Sequence, residues 1–305
     1  MRKIAVLDIG TNSVKFLAGV VEAEKVRIIE DKITISRLGK ALLPTGSLSA
    51  EAMDGTMNIL ADFLRRAREH GTDEIVAVGT MCLRQAENAR AFVEKAEESL
   101  GLKITVIDGL EEARLAFLGA RVDLPDMNLK VAVVDTGGGS TELIFGSGRE
   151  IADRMSLPLG AVSCTERFLS KESVDRKTLD RMLEYMESVL VDSEADSTPD
   201  LLIGISGTVT TMGAVFHAMS DYRPEIIRGT VLTAAEVDRQ IDLFRVLPLE
   251  KRKEIIGLEP KRADIILAGA AIVRSVLRVM GVESLTISDR GLRHGLLIDR
   301  FGAIQ

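Results

Sequence analysis

Two short stretches of the 305-residue chain carry acid, glycine and hydroxyl residues at one spacing: Asp8-Ile-Gly10-Thr-Asn-Ser13 and Asp135-Thr-Gly137-Gly-Gly-Ser140. A glycine turn after an apolar run lets the backbone approach an anion, and its N–H groups can cradle phosphate oxygens without side-chain charge. The aspartate before each turn could hold a divalent metal or its waters. One Asp-x-Gly alone reads more simply as a tight hairpin with a self-bonded aspartate. Duplication shifts the balance. Lys3–Phe16 aligns without a gap on Lys130–Leu143, placing Asp8 on Asp135, Gly10 on Gly137 and Ser13 on Ser140, and a repeat with a shared serine favours a working turn.

Carboxylates are the candidates for acid–base work. Glu142 follows Gly137, Gly138, Gly139 and Ser140 closely enough to lie near any phosphate bound by that turn. Glu111 and Glu112 open a helix, where the dipole also favours acids, so chemistry and helix-end electrostatics account for them equally. A third turn, Gly204-Ile-Ser-Gly207-Thr208-Val-Thr-Thr211, joins an apolar strand to a helix. Its N–H groups suit a phosphate or a nucleotide edge, and capping by Ser206 or Thr208 explains it as well.

Other chemistries lack their residues. Neither G-x-x-x-x-G-K-[ST] nor a strand-to-helix G-x-G-x-x-G occurs, which disfavours a P-loop or a Rossmann site. His70, His217 and His294 are too scattered for a histidine metal centre, and His70 is expected to close a helix in solvent. Cys82 and Cys164 stand outside any C-x-x-C spacing, as expected for buried thiols in a reducing compartment.

The elements that must position these residues follow from periodicity. Each repeat is a buried strand, a turn and a second strand. Helices are expected at Ser49–His70, Asn88–Leu100, Leu110–Gly119, Val174–Val191, Thr208–Met219, Ala234–Phe244, Ala263–Met280 and Gly291–Phe301, and further strands at Glu74–Val78, Ile104–Ile107, Leu201–Ile205 and Ser284–Ile287. Two related halves of mixed strands and helices imply an α/β protein with one sheet per lobe. The join is expected near Leu124-Pro125-Asp126, dividing the chain into domains 1–124 and 125–290, and Ser193–Asp200 reads as a polar surface loop.

Composition agrees with two lobes, since 46% of residues are apolar and domains run to about 100–200 residues. The N-terminus turns acidic at Asp8 after a short apolar run, and no stretch reaches the roughly 18 apolar residues of a membrane helix. A soluble cytoplasmic protein without a membrane partner is expected. A net charge of −7 without a basic run argues against gripping a nucleic acid polymer.

Seven ordered strings together resemble the motif set of the Ppx/GppA phosphatases, exopolyphosphatases and guanosine pentaphosphate phosphohydrolases. They are Asp8-Ile-Gly-Thr-Asn-Ser13, Ser36-Arg-Leu-Gly39, Thr80-Met-Cys-Leu-Arg84-Gln-Ala-Glu-Asn88, Gly109-Leu-Glu-Glu112-Ala-Arg114, Asp135-Thr-Gly-Gly-Gly-Ser-Thr-Glu142, Gly207-Thr-Val-Thr-Thr211 and Ser288-Asp-Arg-Gly-Leu-Arg293. The resemblance spans essentially the whole chain. It implies the two-lobed actin-like fold of sugar kinases and chaperone ATPases, with ribonuclease-H-like sheets, a cleft between the lobes and a C-terminal helix at about 291–305 packing back on the first lobe. By the same resemblance, Glu112 would activate water and Glu142 would position that water or Mg²⁺ (or another divalent cation). Asp135, Gly137 and Ser140 would line the phosphate and metal site, with Asp135 and Glu142 as the metal ligands. Arg84 would hold phosphate oxygens, Gly207 and Thr208 would add contacts, and Asp8, Gly10, Thr11, Asn12 and Ser13 would form the opposing turn.

Position 136 is Thr where the family motif carries Ile, a change expected to leave the turn intact. The chain ends at Gln305 and so resembles the short two-domain form, which lacks a C-terminal helical extension that helps hold long polymers. The expected activity is removal of the terminal phosphate from inorganic polyphosphate. The alternatives are guanosine pentaphosphate (pppGpp) 5'-phosphohydrolysis, for which Arg262 or Tyr222 could lie near a guanine although helix-surface and core roles account for them equally, a non-catalytic alarmone or polyphosphate sensor, and an ATP-using kinase on the same fold. Intact Glu112 and Glu142 disfavour the sensor, and the Glu111-Glu112-Ala-Arg114 helix disfavours the kinase. A homodimer is expected from the resemblance alone.

Overall fold

The computed structural model describes residues 2–22, 25–122, 129–148, 150–169, 173–192 and 198–304. The expected join at Leu124–Asp126 and residues 193–197 of the polar loop lie outside them. Two compact units emerge. The first is Met1–Asp123 with Arg290–Gln305, and the second is Leu124–Asp289.

Unit 1 runs β1 (Arg2–Ile9), β2 (Ser13–Glu22), β3 (Lys25–Ile35), α1 (Leu42–Thr45), α2 (Ala50–Glu69), β4 (Glu74–Gly79), α3 (Met81–Gln85), α4 (Ala89–Leu100), β5 (Ile104–Val106) and α5 (Gly109–Ala120). Unit 2 runs β6 (Lys130–Thr136), β7 (Thr141–Ser147), β8 (Glu150–Leu157), α6 (Ala161–Phe168), α7 (Arg176–Val191), β9 (Leu201–Ile205), α8 (Gly207–Phe216), α9 (Pro224–Ile227), β10 (Val231–Thr233), α10 (Ala234–Val246), α11 (Leu249–Arg252), α12 (Ile266–Val279) and β11 (Ser284–Ile287). The chain then returns to unit 1 with α13 (Leu292–Phe301) and β12 (Ala303–Ile304).

The repeat in the sequence is a repeat in topology. Unit 1 orders its strands β12-β3-β2-β1-β4-β5, and unit 2 orders its strands β10-β11-β9-β6-β7-β8. In both, an antiparallel three-strand meander continues into two parallel strands: β3-β2-β1 with β4 and β5, and β8-β7-β6 with β9 and β11. The parallel steps require helical crossovers, which place helices against the sheets.

β1 shows why its sequence is apolar without alternation. Ala5, Leu7 and Ile9 enter one core with Phe63 of α2 and Phe92 of α4. Ile4 and Val6 enter another with Leu115 of α5 and Leu292, Leu296 and Leu297 of α13. Both faces are covered, so no solvent face remains to be polar. Close approach of α5 and α13 depends on glycine: a Cβ on Gly119 would collide with the Gly291 carbonyl, and one on Gly295 with the Leu115 carbonyl. An ion cluster also ties α13 to the sheet, where Arg293 donates from Nε and Nη2 to Asp31 of β3 at 2.8 and 2.9 Å, with His294 Nε2 3.5 Å from the same carboxylate.

Several sequence expectations need correction. Each hairpin extends into a third strand, β3 or β8, that the sequence reading did not assign. α8 ends at Phe216 rather than Met219, because His217 caps it and Ala218 turns to φ +47°. α12 begins at Ile266 rather than Ala263, after a 3-10 turn at Pro260–Arg262. His70 caps α2 but is half-buried, its Nε2 2.6 Å from Glu30 Oε2, and not simply in solvent.

Candidate active site

In unit 1 the turn between β1 and β2 closes with Gly10 N–H donating to the Ser13 carbonyl at 3.0 Å. The Thr11 carbonyl accepts from Gly39 N–H at 2.9 Å, and the Asn12 carbonyl accepts from the N–H groups of Ser36 and Arg37, each at 3.0 Å. The Ser36–Gly39 segment therefore braces the turn from one side. Peptide groups are planar and trans, so the Asn12 N–H faces away from the brace. Asp8, Thr11, Asn12 and Ser13 are all buried. Asp8 Oδ2 accepts from Lys15 Nζ at 2.6 Å, while Asp8 Oδ1 and Asn12 Nδ2 have no hydrogen-bond partner among the described residues. Both atoms keep hydrogen-bonding capacity that a ligand or water could use.

The same unit separates the two glutamates that the sequence left equivalent. Asp108 caps α5, its Oδ1 accepting from Glu111 N–H at 2.8 Å. Glu111 pairs with Arg114 through two 2.8 Å bonds at the surface. Glu112 is 8% exposed and accepts from Arg84 Nη1 at 2.7 Å on Oε2. Arg84, carried on α3, also donates to the Ile107 carbonyl at 2.9 Å. The arginine expected to hold phosphate thus holds the expected base. Cys82 lies beside them; burial pushes its thiol up to about 12, and although a hydrogen bond to Thr11 opposes this, the Glu112 charge adds to it.

In unit 2 the turn between β6 and β7 repeats the closure, Gly137 N–H donating to the Ser140 carbonyl at 2.9 Å. An added Cβ would lie 3.1 Å from the Ser13 carbonyl at Gly10 and 3.0 Å from the Ser140 carbonyl at Gly137. Here the brace is α6: the Gly137 carbonyl accepts from Ala161 N–H at 2.9 Å, and the Gly138 carbonyl from Val162 and Ser163 at 2.8 and 3.2 Å. Gly160 brings α6 this close, because a Cβ there would strike the Gly138 carbonyl oxygen and Gly139 Cα. By trans planarity, the N–H groups of Gly138 and Gly139 both point away from α6. Two successive N–H groups aimed one way form an anion nest.

Register then sets the acids. Asp135 of β6 is the cross-strand partner of Glu142 of β7, which is in turn the partner of Ser156 of β8. Partners share a face of the sheet, so the three side chains stand in one rung beside the nest. Glu142 is 1% exposed, and its Oε1 accepts from Ser156 Oγ at 2.7 Å. The matching rung of unit 1 is Asp8, Lys15 and Ile33.

The third turn divides its roles. Ser206 adopts φ +111°, costly for a residue with a Cβ, and its Oγ accepts from the N–H groups of Thr208 and Val209 at 3.2 and 3.4 Å, so it caps α8. The Thr208 side chain packs on Gly269 of α12, and the guanidinium of Arg262 covers Gly207. Burial pulls Arg262 below its ordinary value, with Glu259 and Tyr222 opposing. Tyr222 itself is exposed.

Sequence reasoning missed Lys15 and Ser156. Lys15 was visible in the repeat, aligned with Glu142, but its pairing with Asp8 needed the strand register. Ser156 lies on a strand that the pattern did not reveal. No group of three or more His, Cys, Asp or Glu side chains suited to a metal occurs among the described residues, and no helix among them is long and apolar enough to cross a membrane.

Comparison with known proteins agrees with this architecture. Residues 19–303 match the model of the Ppx/GppA phosphatase family. The chain is 29% identical to exopolyphosphatase 2 of Mycobacterium tuberculosis, covering 99% of both sequences. It is 30% identical to the guanosine-5'-triphosphate,3'-diphosphate pyrophosphatase of Vibrio atlanticus, over 97% of this chain but 59% of that protein. It also matches the bifunctional 3-dehydroquinate synthase/phosphatase of Fusobacterium nucleatum at 29% identity, over 97% of this chain and 46% of that one. The crystal structure of the Aquifex aeolicus Ppx/GppA family member superposes with a TM-score of 0.82 at 33% identity, covering 98% of this chain and 97% of that one. The expected actin-like α/β fold is borne out by these neighbours. The chain belongs to the Ppx/GppA phosphatase family, a family of phosphoanhydride hydrolases.

Proposed function

We propose that the protein removes the terminal phosphate of inorganic polyphosphate as orthophosphate. The observation that carries this reading is the unit 2 turn, where an anion nest of backbone N–H groups stands beside the Asp135–Glu142 rung. Phosphoryl transfer asks mainly for positioning and charge neutralisation. The nest holds phosphate oxygens. Glu112, held by Arg84, takes a proton from water as the water oxygen bonds to the terminal phosphorus. The bridging P–O bond breaks, and the shortened chain leaves with the electron pair.

A divalent cation fits the donor set. Mg²⁺ usually takes one or two carboxylates and completes its shell with water and substrate phosphates, which matches the two acids on one rung. Asp135 and Glu142 would hold it, and when bound it would draw charge from the phosphate oxygens. A relative named exopolyphosphatase 2 that aligns over 99% of both chains supports polyphosphate as substrate; the relative named for guanosine-5'-triphosphate,3'-diphosphate supports pppGpp as the second reading. The test is orthophosphate release with Mg²⁺ from medium and long polyphosphate, pppGpp and ATP in parallel. Release chiefly from polyphosphate is expected. Preference for pppGpp would install the second reading, and no release from any would remove both.

A further inference from the structure

We propose that Ser156 is a positioning residue that fixes the Glu142 carboxylate for its work beside Asp135; the proposal rests on the hydrolase reading above. The geometry is a single rung across three strands. Ser156, Glu142 and Asp135 are successive register partners, so Glu142 has a hydroxyl on one side and a second acid on the other, each about 5 Å away along the sheet.

Two carboxylates on adjacent strands repel, and a glutamate side chain has three torsions with which to swing aside. Glu142 is buried, and the 2.7 Å bond from Ser156 Oγ to Oε1 is a fixed contact on its carboxylate. A hydroxyl can donate only one proton, so this bond fixes one carboxylate oxygen and thereby the direction of the other.

The sister rung in unit 1 is an internal control. There Lys15 replaces the second acid and pairs with Asp8 at 2.6 Å, so the rung holds itself together. Its third position is Ile33, 41% exposed and unable to donate. A hydroxyl stands only on the rung that carries two acids. β8 is the edge of its sheet, so the choice of serine there is not imposed by core packing.

The test uses the full chain with Ser156→Ala, Ser156→Thr and Ser156→Cys, the last keeping the size while offering only a weak donor. Two readouts are needed: calorimetric titration of Mg²⁺ alone, with Mn²⁺ as a second probe, and phosphate release with kcat and KM separated. Removing an outer partner of a metal-binding carboxylate typically costs about 10–100-fold in affinity or rate. Ser156→Ala and Ser156→Cys are therefore expected to weaken metal binding and lower kcat by roughly tenfold or more, with KM for polyphosphate and the metal-free melting temperature nearly unchanged, and Ser156→Thr to restore both. Wild-type metal binding and kcat in folded Ala and Cys variants would overturn the proposal, as would a wild-type protein that takes up neither ion. Absence of phosphate release from the wild type would instead overturn the hydrolase reading, leaving the metal titration to decide the link between Ser156 and Glu142.

Discussion

Lys15 and Glu142 occupy the same place in two copies of one hairpin, each directly opposite an aspartate: Asp8 faces Lys15 in unit 1, and Asp135 faces Glu142 in unit 2. The duplicated scaffold thus sets an acid against a base in one copy and an acid against an acid in the other. A doubly acidic rung beside an anion nest makes sense if a cation joins phosphate to protein there.

The unit 1 pair should matter for stability. Asp8 is 1% exposed, and Lys15→Met would leave it buried without its cation. A loss of about 3 kcal/mol is expected, as for other broken buried pairs, with Asp8→Asn/Lys15→Met recovering most of it. Chemical denaturation of the four proteins of that cycle measures the coupling, and additive losses would contradict it.

Gly160→Ala should reach the turn through backbone collision. The added methyl group meets the Gly138 carbonyl and Gly139 Cα, so the nest must shift. A displacement near 1 Å can cost on the order of 100-fold in rate. Gly55→Ala is the matched control, since it lies on an exposed face of α2 with open space around it. That change should stabilise the protein by about 0.5–1 kcal/mol, read as a higher denaturation midpoint with unchanged activity.

Asp31 should make α13 docking sensitive to acid. Burial favours its neutral form, but the Arg293 charge and bonding to His294 outweigh this and hold the carboxyl well below the usual range. A depressed value means that the contribution is fully present above about pH 4, the unfolded value, and fades as pH falls towards the lower folded one. Asp31→Asn is expected to cost about 1 kcal/mol at pH 7, and the gap from wild type should narrow below pH 4. A gap independent of pH would exclude this source.

Both cysteines should be inert in the folded chain. Burial pushes Cys82 up to about 12 and Cys164 to about 11, and the thiolate is the reactive form. A thiol reagent at pH 8 should label neither in the native protein and both after denaturation; rapid native labelling at Cys82 would show that the pocket around Thr11 and Glu112 opens.

Much of this was legible in the sequence because it depends on local pattern. The Asp8 and Asp135 hairpins were readable from apolar runs and glycine turns, and α2 and α4 from Ser49, Asn88 and Gly101 at their ends. β3 and β8 were not, since Lys25–Ile35 and Glu150–Leu157 mix charged and apolar residues without a continuous apolar run or a strict alternation. That omission hid the site's third rung position, because Ser156 and Ile33 both lie on those strands. Residue pattern alone likewise did not separate Glu111 from Glu112, and the family motif alone pointed to Glu112. They are neighbours on one helix turn, and only the placement of Arg84 from α3 shows which of them is buried and held.

Orthophosphate release from polyphosphate in ¹⁸O-labelled water with Mg²⁺, comparing wild type with Glu112→Ala and Glu142→Gln, tests terminal-phosphate hydrolysis most directly. Hydrolysis at the terminal phosphorus predicts one ¹⁸O in each released orthophosphate from the wild type, and a rate loss of about 100-fold or more in folded Glu112→Ala and Glu142→Gln. Release that continues at the wild-type rate in both variants, or orthophosphate without the label, would contradict it.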